Sequence, residues 1–246
     1  MKIGLFSYNF VHKKSYEYLM RLIFEGYEIS CIFAADWVKL NIASSEIRIS
    51  PKDIGYIHSK TVADKFKIPY HVVLHNSDDC VKLIKQYDLD VGVILGARIL
   101  KKFVIDAFNI GIINLHPGVL PYNRGLDNVK WAIFDDLPQG HTCHLIDERI
   151  DWGQILVVKP VQVYKDDTLL DLYLRVMFMG EEVMIEGLKL IEEGKIPPVT
   201  RSEGKYNKAL PPDLESNLFE RFEEYKNNYP KILAKWKKKE DNRTKV

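Results

Sequence analysis

An asparagine and a histidine stand two residues apart at the end of a short apolar run, in the stretch "IINLHPGVLPYNRG" (residues 112–125). On a strand, this spacing points Asn114 and His116 to the same face. A histidine titrates near neutral pH and can accept and return a proton. An asparagine amide can donate a hydrogen bond to an oxygen that gains negative charge during acyl transfer. The pair therefore indicates proton transfer and oxyanion stabilisation at one small group.

The pair lacks a carboxylate, and the candidates for one lie in "HLIDERIDWGQ" (residues 144–154). Asp147, Glu148 and Asp151 stand there in a turn between two β-like runs. A simpler interpretation exists for each group, because a histidine at a strand end is often structural and an asparagine before a turn often bonds its own backbone. A carboxylate-rich turn is often a solvated surface. On spacing alone, the catalytic and the structural interpretations both stay open.

Apolar runs alternate with amphipathic helical patterns over the first half of the chain. Such fully apolar strands are typical of a parallel sheet with helices on both faces. The predicted fold class is therefore α/β, with a doubly wound and mostly parallel sheet, whose ligands bind beyond the carboxyl ends of the strands. Strands are expected at residues 2–7, 28–35, 70–75, 91–97 and 111–116, and helices at 13–26, 59–67, 78–88 and 104–108.

The second half continues with helical and β-like patterns before its composition changes. A helix is expected at 126–134, β-like runs at 141–147 and 153–161, and a long amphipathic helix at 168–193. We predict a core domain over residues 1–191. Residues 192–246 are predicted to be a C-terminal extension, partly helical, with a lysine-rich solubilising end.

Charge and cysteine content exclude several classes of protein. The formal net charge of +1 over 246 residues gives no global reason to expect a nucleic-acid or membrane-surface protein. Three widely spaced cysteines suggest neither a disulfide framework nor a zinc site, and we expect no metal. The start of the chain does not read as a signal peptide, and no apolar stretch is long enough to span a bilayer. We expect a cytoplasmic protein.

The segments "NLHPGVLPYNRG" and "HLIDERIDWGQIL" together resemble the N10-formyltetrahydrofolate-dependent formyltransferases. This family includes glycinamide ribonucleotide transformylase, methionyl-tRNA formyltransferase and the sugar N-formyltransferases. Its pattern is Asn-x-His-Pro, then Leu-Pro-x-x-x-Gly, then Asp-x-Gly roughly thirty-five residues further on, and the order and spacing together are specific. The resemblance covers residues 91–163 closely and the first ninety residues more loosely.

The resemblance implies a Rossmann-like formyltransferase fold and assigns roles by matching position. Asn114 and His116 correspond to the catalytic pair, and Asp151 to the acid of the family triad. N10-formyltetrahydrofolate is the implied formyl donor, with no metal required. Its pterin ring is expected between two loops that offer main-chain groups and apolar cover, formed by Arg98, Ile99, Leu100, Ile146, Asp147 and Glu148.

The acceptor amine is inferred from departures within the family. The segment "FSYNFVHKKS" after the first strand lacks the glycine-rich phosphate loop of glycinamide ribonucleotide transformylase, and the sequence after Ile191 is short for the basic domain of methionyl-tRNA formyltransferase. We therefore expect a nucleotide-linked amino sugar for surface polysaccharide, such as lipopolysaccharide, and neither membrane nor nucleic acid as partner. The residues expected to bind the substrate are Tyr8, Asn9, Lys13, Asn123, Arg124 and Tyr206.

Other functions on the same residues stay open. They are formylation of glycinamide ribonucleotide or methionyl-tRNA, hydrolysis of formyltetrahydrofolate, and folate binding without catalysis. The apolar positions of the long helix and the extension could cover a second copy of the chain as well as the protein's own core, so a homodimer is also open.

Overall fold

The structure, a computed structural model, describes residues 1–39, 45, 47, 55–199 and 204–243. The strands are β1 (Ile3–Tyr8), β2 (Ile29–Ala35), β3 (Tyr70–Val72), β4 (Val91–Ile94), β5 (Gly111–His116), β6 (Asn123–Gly125), β7 (Gly140–Leu145), β8 (Gln154–Pro160) and β9 (Lys205–Asn207). The helices are α1 (Lys13–Phe24), α2 (Ser59–Phe66), α3 (Asp78–Tyr87), α4 (Lys102–Ile105), α5 (Asn128–Phe134), α6 (Leu169–Glu192), α7 (Pro212–Glu215) and α8 (Leu218–Arg243).

Seven of the described strands form one sheet in the order β3-β2-β1-β4-β5-β7-β8. The pairs from β3 to β5 are parallel, whereas β7 and β8 pair antiparallel. This confirms the predicted α/β class with a mostly parallel sheet. The order of strands reverses between β1 and β4, so the chain builds one half of the sheet outward from β1 and then the other half from β4.

Helices cover both faces of the central strands, so these strands carry apolar side chains on both faces. On one face, Leu19 of α1 and Leu188 of α6 pack against Ile3 and Val93. On the other face, α3 and α4 cover the sheet in a second cluster around Phe6. A strand that is covered on both sides needs apolar residues at every position, which is the pattern seen in the sequence.

Several predicted elements are shorter than expected or begin later. β3 ends at Val72 and β4 at Ile94, whereas the apolar runs continue for three more residues. The amides of Leu95 and Gly96 both donate to the carbonyl of Phe6, which turns the chain out of the sheet after β4. Apolar character therefore extends beyond the strands because the loops that follow them are also partly buried.

The long helix α6 begins where the sequence predicts. Thr168 is its N-cap and forms a capping box with Asp171: the Thr168 hydroxyl accepts from the Asp171 amide at 3.2 Å, and the Asp171 carboxylate accepts from the Thr168 amide at 2.8 Å. The helix then packs along β7 and β8. The cap therefore helps to position β7, the strand that pairs with β5.

Replacing Thr168 by alanine is expected to lower the free energy of unfolding by about 1 kcal/mol, because the first-turn amides lose their acceptor. Urea denaturation at neutral pH measures the difference. Serine at the same position retains the hydroxyl and should restore most of the stability. Equal stability of the alanine and serine variants would contradict the capping role.

The C-terminal segment packs on the core at two places. Residues 205–207 pair in parallel with β6, a small sheet that the sequence did not indicate. Helix α8 buries Leu218, Phe222, Tyr225 and Tyr229 against α5 and α6. The division at residue 191 stays a prediction.

Helix α8 is the longest helix among the described residues. It continues through Pro230 and includes the lysine-rich stretch. A proline inside a helix removes a backbone hydrogen bond, but Tyr229 just before it is fully buried and donates its hydroxyl to the carbonyl of Val161 at 2.5 Å. Among the described residues, no helix is both long and apolar enough to cross a bilayer.

Candidate active site

The three residues predicted to form a triad lie together near the carboxyl end of β5. Asn114 and His116 project from β5, and Asp151 lies in the turn between β7 and β8. The Asp151 Oδ1 atom is 3.4 Å from His116 Nδ1. The antiparallel register of β5 and β7 places His144 directly opposite Asn114, so a second histidine joins the group.

His116 is almost fully buried, with 3% of its surface exposed. Its Nε2 lies 2.7 Å from the carbonyl oxygen of Asn123. Because a carbonyl oxygen only accepts hydrogen bonds, Nε2 carries the hydrogen in this contact. The other ring nitrogen therefore faces the Asp151 carboxylate, which orients the imidazole.

Asp151 is held as a carboxylate. Burial alone would raise the pKa of this group, but the charges of His116 and His144 and hydrogen bonds from His116 and the Gly125 amide lower its pKa to about 2. The Gly125 amide donates to Oδ2 at 2.9 Å. At neutral pH the site therefore contains a fixed negative charge beside His116.

Gly125 makes that contact possible by its lack of a side chain. Its φ of +95° is a conformation that side-chain-bearing residues rarely adopt, and a Cβ atom here would lie 2.0 Å from the carbonyl oxygen of Asn207. The glycine lets β6 and β9 approach closely while its amide points at Asp151. Pairing of the C-terminal segment with β6 thus supports the triad.

Asn114 is oriented by His144. The Asn114 Nδ2 and His144 Nε2 atoms are 3.2 Å apart. Burial lowers the pKa of His144 to about 4 despite the opposing charge of Asp151, so at neutral pH its ring is uncharged and Nε2 can accept from the Asn114 amide. One amide hydrogen of Asn114 is used in this way, and the other hydrogen and the amide oxygen can serve a ligand.

Arg124 stabilises the turn that contains Asp151. Its Nε and Nη2 atoms donate to the carbonyls of Asp151 at 3.1 Å and Ile150 at 2.7 Å. Its guanidinium lies 4.4 Å from the centre of the Trp152 ring and 5.9 Å from that of Tyr206, which is half exposed. In this structure, Arg124 therefore acts on the turn, and its predicted contact with substrate stays a prediction.

Replacing Arg124 by methionine is expected to weaken tetrahydrofolate binding about tenfold, because the turn loses two hydrogen bonds from a charged donor. Calorimetric titration measures the affinity. Lysine retains the charge but not the forked geometry, so an intermediate affinity is expected. Wild-type affinity in the methionine variant would show that the turn holds its shape without this residue.

A cavity of about 160 Å³ contains the residues predicted to bind folate. The loop after β4 forms one wall and the turn after β7 forms the other. Leu100 is buried and Ile146 partly buried, so both can give apolar cover, whereas the Ile99 side chain is exposed. The lining consists of Ile94, Ala97, Arg98, Ile99, Leu100, Asn114, Ile146, Asp147, Glu148, Arg149, Ile150 and Asp151.

Two loops with apolar side chains between them fit a flat ring such as a pterin. The loop after β4 is fixed by Asn76, whose amide donates to the Ile99 carbonyl and accepts from the Lys101 amide, at 2.9 and 2.8 Å. Asn114 and Asp151 line the same cavity. A group bound there would therefore be presented to the predicted catalytic residues.

Lys13 and Lys14 open α1 and have different surroundings. Lys13, which the sequence indicated, forms an ion pair with Glu17 at 2.5 Å. Lys14 instead donates to the carbonyl of Leu115 at 3.0 Å, between the two candidate catalytic residues of β5. Burial lowers the pKa of Lys14 to about 8. The structure thus places Lys14 against the catalytic strand, and the role of Lys13 stays a prediction.

Sequence reasoning did not single out His144 and did not relate Lys14 to the strand that carries Asn114 and His116. A signal for His144 existed, because it lies in the β-like run next to the predicted turn. Its relation to Asn114 required the register between the two strands, however. Tyr8 and Asn9 lie at the carboxyl end of β1, where the side-chain amide of Asn9 donates a hydrogen bond to the Asp36 carboxylate. Asn123 is buried, and its carbonyl rather than its amide reaches His116.

The sequence model of the family described as "Formyl transferase" matches residues 55–188, which is more than half of the chain. The chain belongs to the formyl transferase family. The matched residues include the three predicted to form the triad. The family predicted from the sequence motifs is therefore confirmed.

Two curated relatives, both methionyl-tRNA formyltransferases, are similar in sequence to this chain. The methionyl-tRNA formyltransferase of Clostridium botulinum is 30% identical over 66% of this chain and 54% of its own length. That of Myxococcus xanthus is 34% identical over 54% of this chain and 43% of its own length. The chain thus spans about half the length of the curated relatives it matches.

Solved structures share the fold. The formyltransferase PseJ from Anoxybacillus kamchatkensis, in complex with UDP-4,6-dideoxy-4-formamido-L-AltNAc and tetrahydrofolate, is 28% identical, with a TM-score of 0.51 over 70% of this chain and 92% of that one. A sugar N-formyltransferase from Shewanella has 21% identity and a TM-score of 0.60, covering 90% of this chain and 87% of that one. A phosphoribosylglycinamide formyltransferase from Anaplasma phagocytophilum reaches a TM-score of 0.62 at 22% identity, over 85% of this chain and 99% of that one.

Proposed function

We propose that this protein transfers a formyl group from N10-formyltetrahydrofolate to the amino group of a nucleotide-linked amino sugar. The observation that carries the proposal is the similarity to the PseJ formyltransferase, whose structure holds a UDP-linked formamido sugar and tetrahydrofolate. This similarity extends over nearly all of that chain at 28% identity. The cavity beside Asn114 and Asp151 supports the same assignment.

In the proposed reaction, an unprotonated amine attacks the formyl carbon of N10-formyltetrahydrofolate, and the bond between that carbon and N10 then breaks to release tetrahydrofolate. Asn114 donates its free amide hydrogen to the formyl oxygen as that oxygen gains negative charge. Its other amide hydrogen is held by His144, so the amide does not need to reorient during the reaction. Such preorganised donors contribute most when the site excludes water.

We propose that the proton lost by the amine passes through Asp151, which lines the cavity, to His116 Nδ1, the ring nitrogen that carries no hydrogen. The proton then returns to N10 of tetrahydrofolate as this leaving group departs. The carboxylate of Asp151 faces Nδ1 and stabilises positive charge on the ring, while the Asn123 carbonyl fixes the orientation of the ring from the other side. The formyl donor is assigned to the cavity between the loops at 97–100 and 146–151. A cytoplasmic location and a homodimer stay predictions.

The second candidate is formylation of methionyl-tRNA, because the curated relatives named above carry that activity in their names at 30% and 34% identity. The same triad would serve either amine. The choice therefore depends on the acceptor rather than on the chemistry, and the assay must compare acceptors directly.

The test follows the absorbance change on release of tetrahydrofolate from N10-formyltetrahydrofolate. Nucleotide-linked amino sugars are added one at a time, with methionyl-tRNA and glycinamide ribonucleotide as rival acceptors and the His116→Ala variant as a blank. Turnover that depends on an amino sugar is expected. Turnover with either rival alone would overturn the assignment, and release of formate without any amine would indicate a hydrolase.

A further inference from the structure

A second cavity, of about 190 Å³, lies where the carboxyl ends of β1, β2 and β4 meet. Open α/β sheets bind ligands in the crevice where the strand order reverses, and in this sheet the reversal falls between β1 and β4. The cavity therefore occupies the expected place for a ligand, yet it is separate from the cavity assigned to the formyl donor. It is lined by Tyr8, Phe10, Asp36, Trp37, Val38 and Arg98.

Aromatic rings form one side of this second cavity. The rings of Tyr8 and Phe10 are stacked, with centroids 4.8 Å apart and planes 14° apart. Tyr8 also lies against Gly96, where a Cβ atom would come within 2.7 Å of the Tyr8 ring, so the glycine permits its position. Trp37 is 65% exposed, which is unusual for so large an apolar ring. These rings offer flat surfaces to a planar ligand.

A fixed carboxylate forms another part of the lining. Asp36 is the first residue after β2, and its Oδ1 accepts from the Asn9 amide at 2.8 Å. Two further hydrogen bonds hold Asn9. The Tyr70 hydroxyl donates to the side-chain oxygen of Asn9 at 3.1 Å, and the backbone amide of Asn9 donates to the Ala35 carbonyl at 2.8 Å. In dinucleotide-binding sheets, an acidic residue at the end of the second strand accepts a hydrogen bond from a ribose hydroxyl.

We infer that this second cavity binds the nucleoside of the acceptor, with the base against Trp37 and Tyr8 and a ribose hydroxyl donating to Asp36. The inference rests on the proposed function and specifies where the nucleotide of the amino sugar is held. Arg98 lines both cavities and supplies positive charge between them. A diphosphate that extends from the nucleoside subsite towards the catalytic residues would lie close to this cation.

The rival occupant is the tail of the formyl donor, which carries an aromatic ring and a glutamate. Arg98 would suit its carboxylates, but Asp36 would not, because like charges in close contact repel each other. A ribose offers hydroxyl donors and no negative charge at this point. The carboxylate therefore favours a nucleoside over a folate tail.

The test measures binding of UDP, CDP, GDP and dTDP to the full chain by calorimetry and continues with the tightest ribonucleotide. Trp37→Ala is expected to weaken its binding about tenfold, the effect of losing one stacking ring. Asp36→Asn is expected to weaken it about tenfold, but to have little effect on the 2′,3′-dideoxy form, which lacks the hydroxyls. Neither variant should change the affinity for tetrahydrofolate.

Matched controls are Phe24→Ala, an exposed aromatic residue on α1, and Asp79→Asn, an exposed acid on α3. If a nucleotide binds the wild type and both cavity variants bind it as tightly as these controls, the subsite is overturned while the proposed function stands. Weaker tetrahydrofolate binding in Trp37→Ala would assign the cavity to the formyl donor instead. If no nucleoside diphosphate binds the wild type, the proposed function itself fails.

Discussion

Replacing His116 by alanine is expected to lower kcat by about 10²- to 10⁴-fold while the affinity for tetrahydrofolate stays near that of the wild type. That range is the usual contribution of a positioned general acid or base. His116 lies behind the folate cavity rather than in its lining, between the Asn123 carbonyl and the Asp151 carboxylate. Its loss should therefore affect the chemical step more than binding. Single-turnover kinetics and calorimetry measure the two quantities.

The alanine variant leaves a buried carbonyl without its donor, which can cost about 1–3 kcal/mol of stability. His116→Gln provides a second variant, because a glutamine amide can donate to the Asn123 carbonyl but does not exchange a proton near neutral pH. His71→Ala is the matched control, since His71 lies on the edge strand β3, four places from β5 in the sheet. Turnover in His116→Gln at the wild-type rate would remove His116 from the proposed chemistry.

Replacing Asp151 by asparagine is expected to lower kcat about 10²-fold or more and to change how stability depends on pH. Asparagine tolerates the left-handed backbone that Asp151 adopts, with φ of 50°, and its oxygen can still accept from Gly125. The substitution therefore removes the charge that faces His116 while preserving the turn. The reduction in kcat measures how much the negative charge of Asp151 contributes to the rate of proton transfer.

The stability effect has a defined sign. The pKa of Asp151 is about 2 in the folded protein and ordinarily 3.8. A lowered pKa stabilises the fold above the ordinary value, here by about 2 kcal/mol, and this contribution is lost as the pH falls towards 2. Urea denaturation should show the advantage of the wild type over Asp151→Asn shrinking by about 1 kcal/mol between pH 5 and pH 3.

The free energy of unfolding of the exposed Asp79→Asn variant should differ from that of the wild type by a nearly constant amount across this pH range. Asp79 pairs only with Lys82 at the surface, and such pairs contribute little to stability. A constant difference between the wild type and Asp151→Asn from pH 5 to pH 3 would mean that folding does not lower the pKa of Asp151 in solution. An unchanged kcat in Asp151→Asn would remove this carboxylate from the catalytic group.

Local pattern was enough to predict most elements near the site. The apolar run that ends in Asn114 and His116 is a strand, and both side chains share one face, because alternation along a strand is a property of the backbone itself. The order of motifs placed Asp151 in the turn that approaches them. The loops predicted to hold folate line one cavity. Because β7 runs antiparallel to β5, this proximity follows from the register that pairs Leu145 with Ile113.

The sequence by itself indicated the strand and helix pattern and the Asn114–His116 pair, because these depend on neighbours along the chain, whereas Asp151 was assigned through the resemblance to the family. Tertiary structure alone decided the rest. The register of β7 against β5 placed His144 opposite Asn114, and the packing of α1 placed Lys14 against the carbonyl of Leu115. Pairing of β6 with β9, some eighty residues apart in sequence, set Gly125 against Asp151. These contacts depend on how distant segments pack, and residue spacing along one segment carries no information about the register of another.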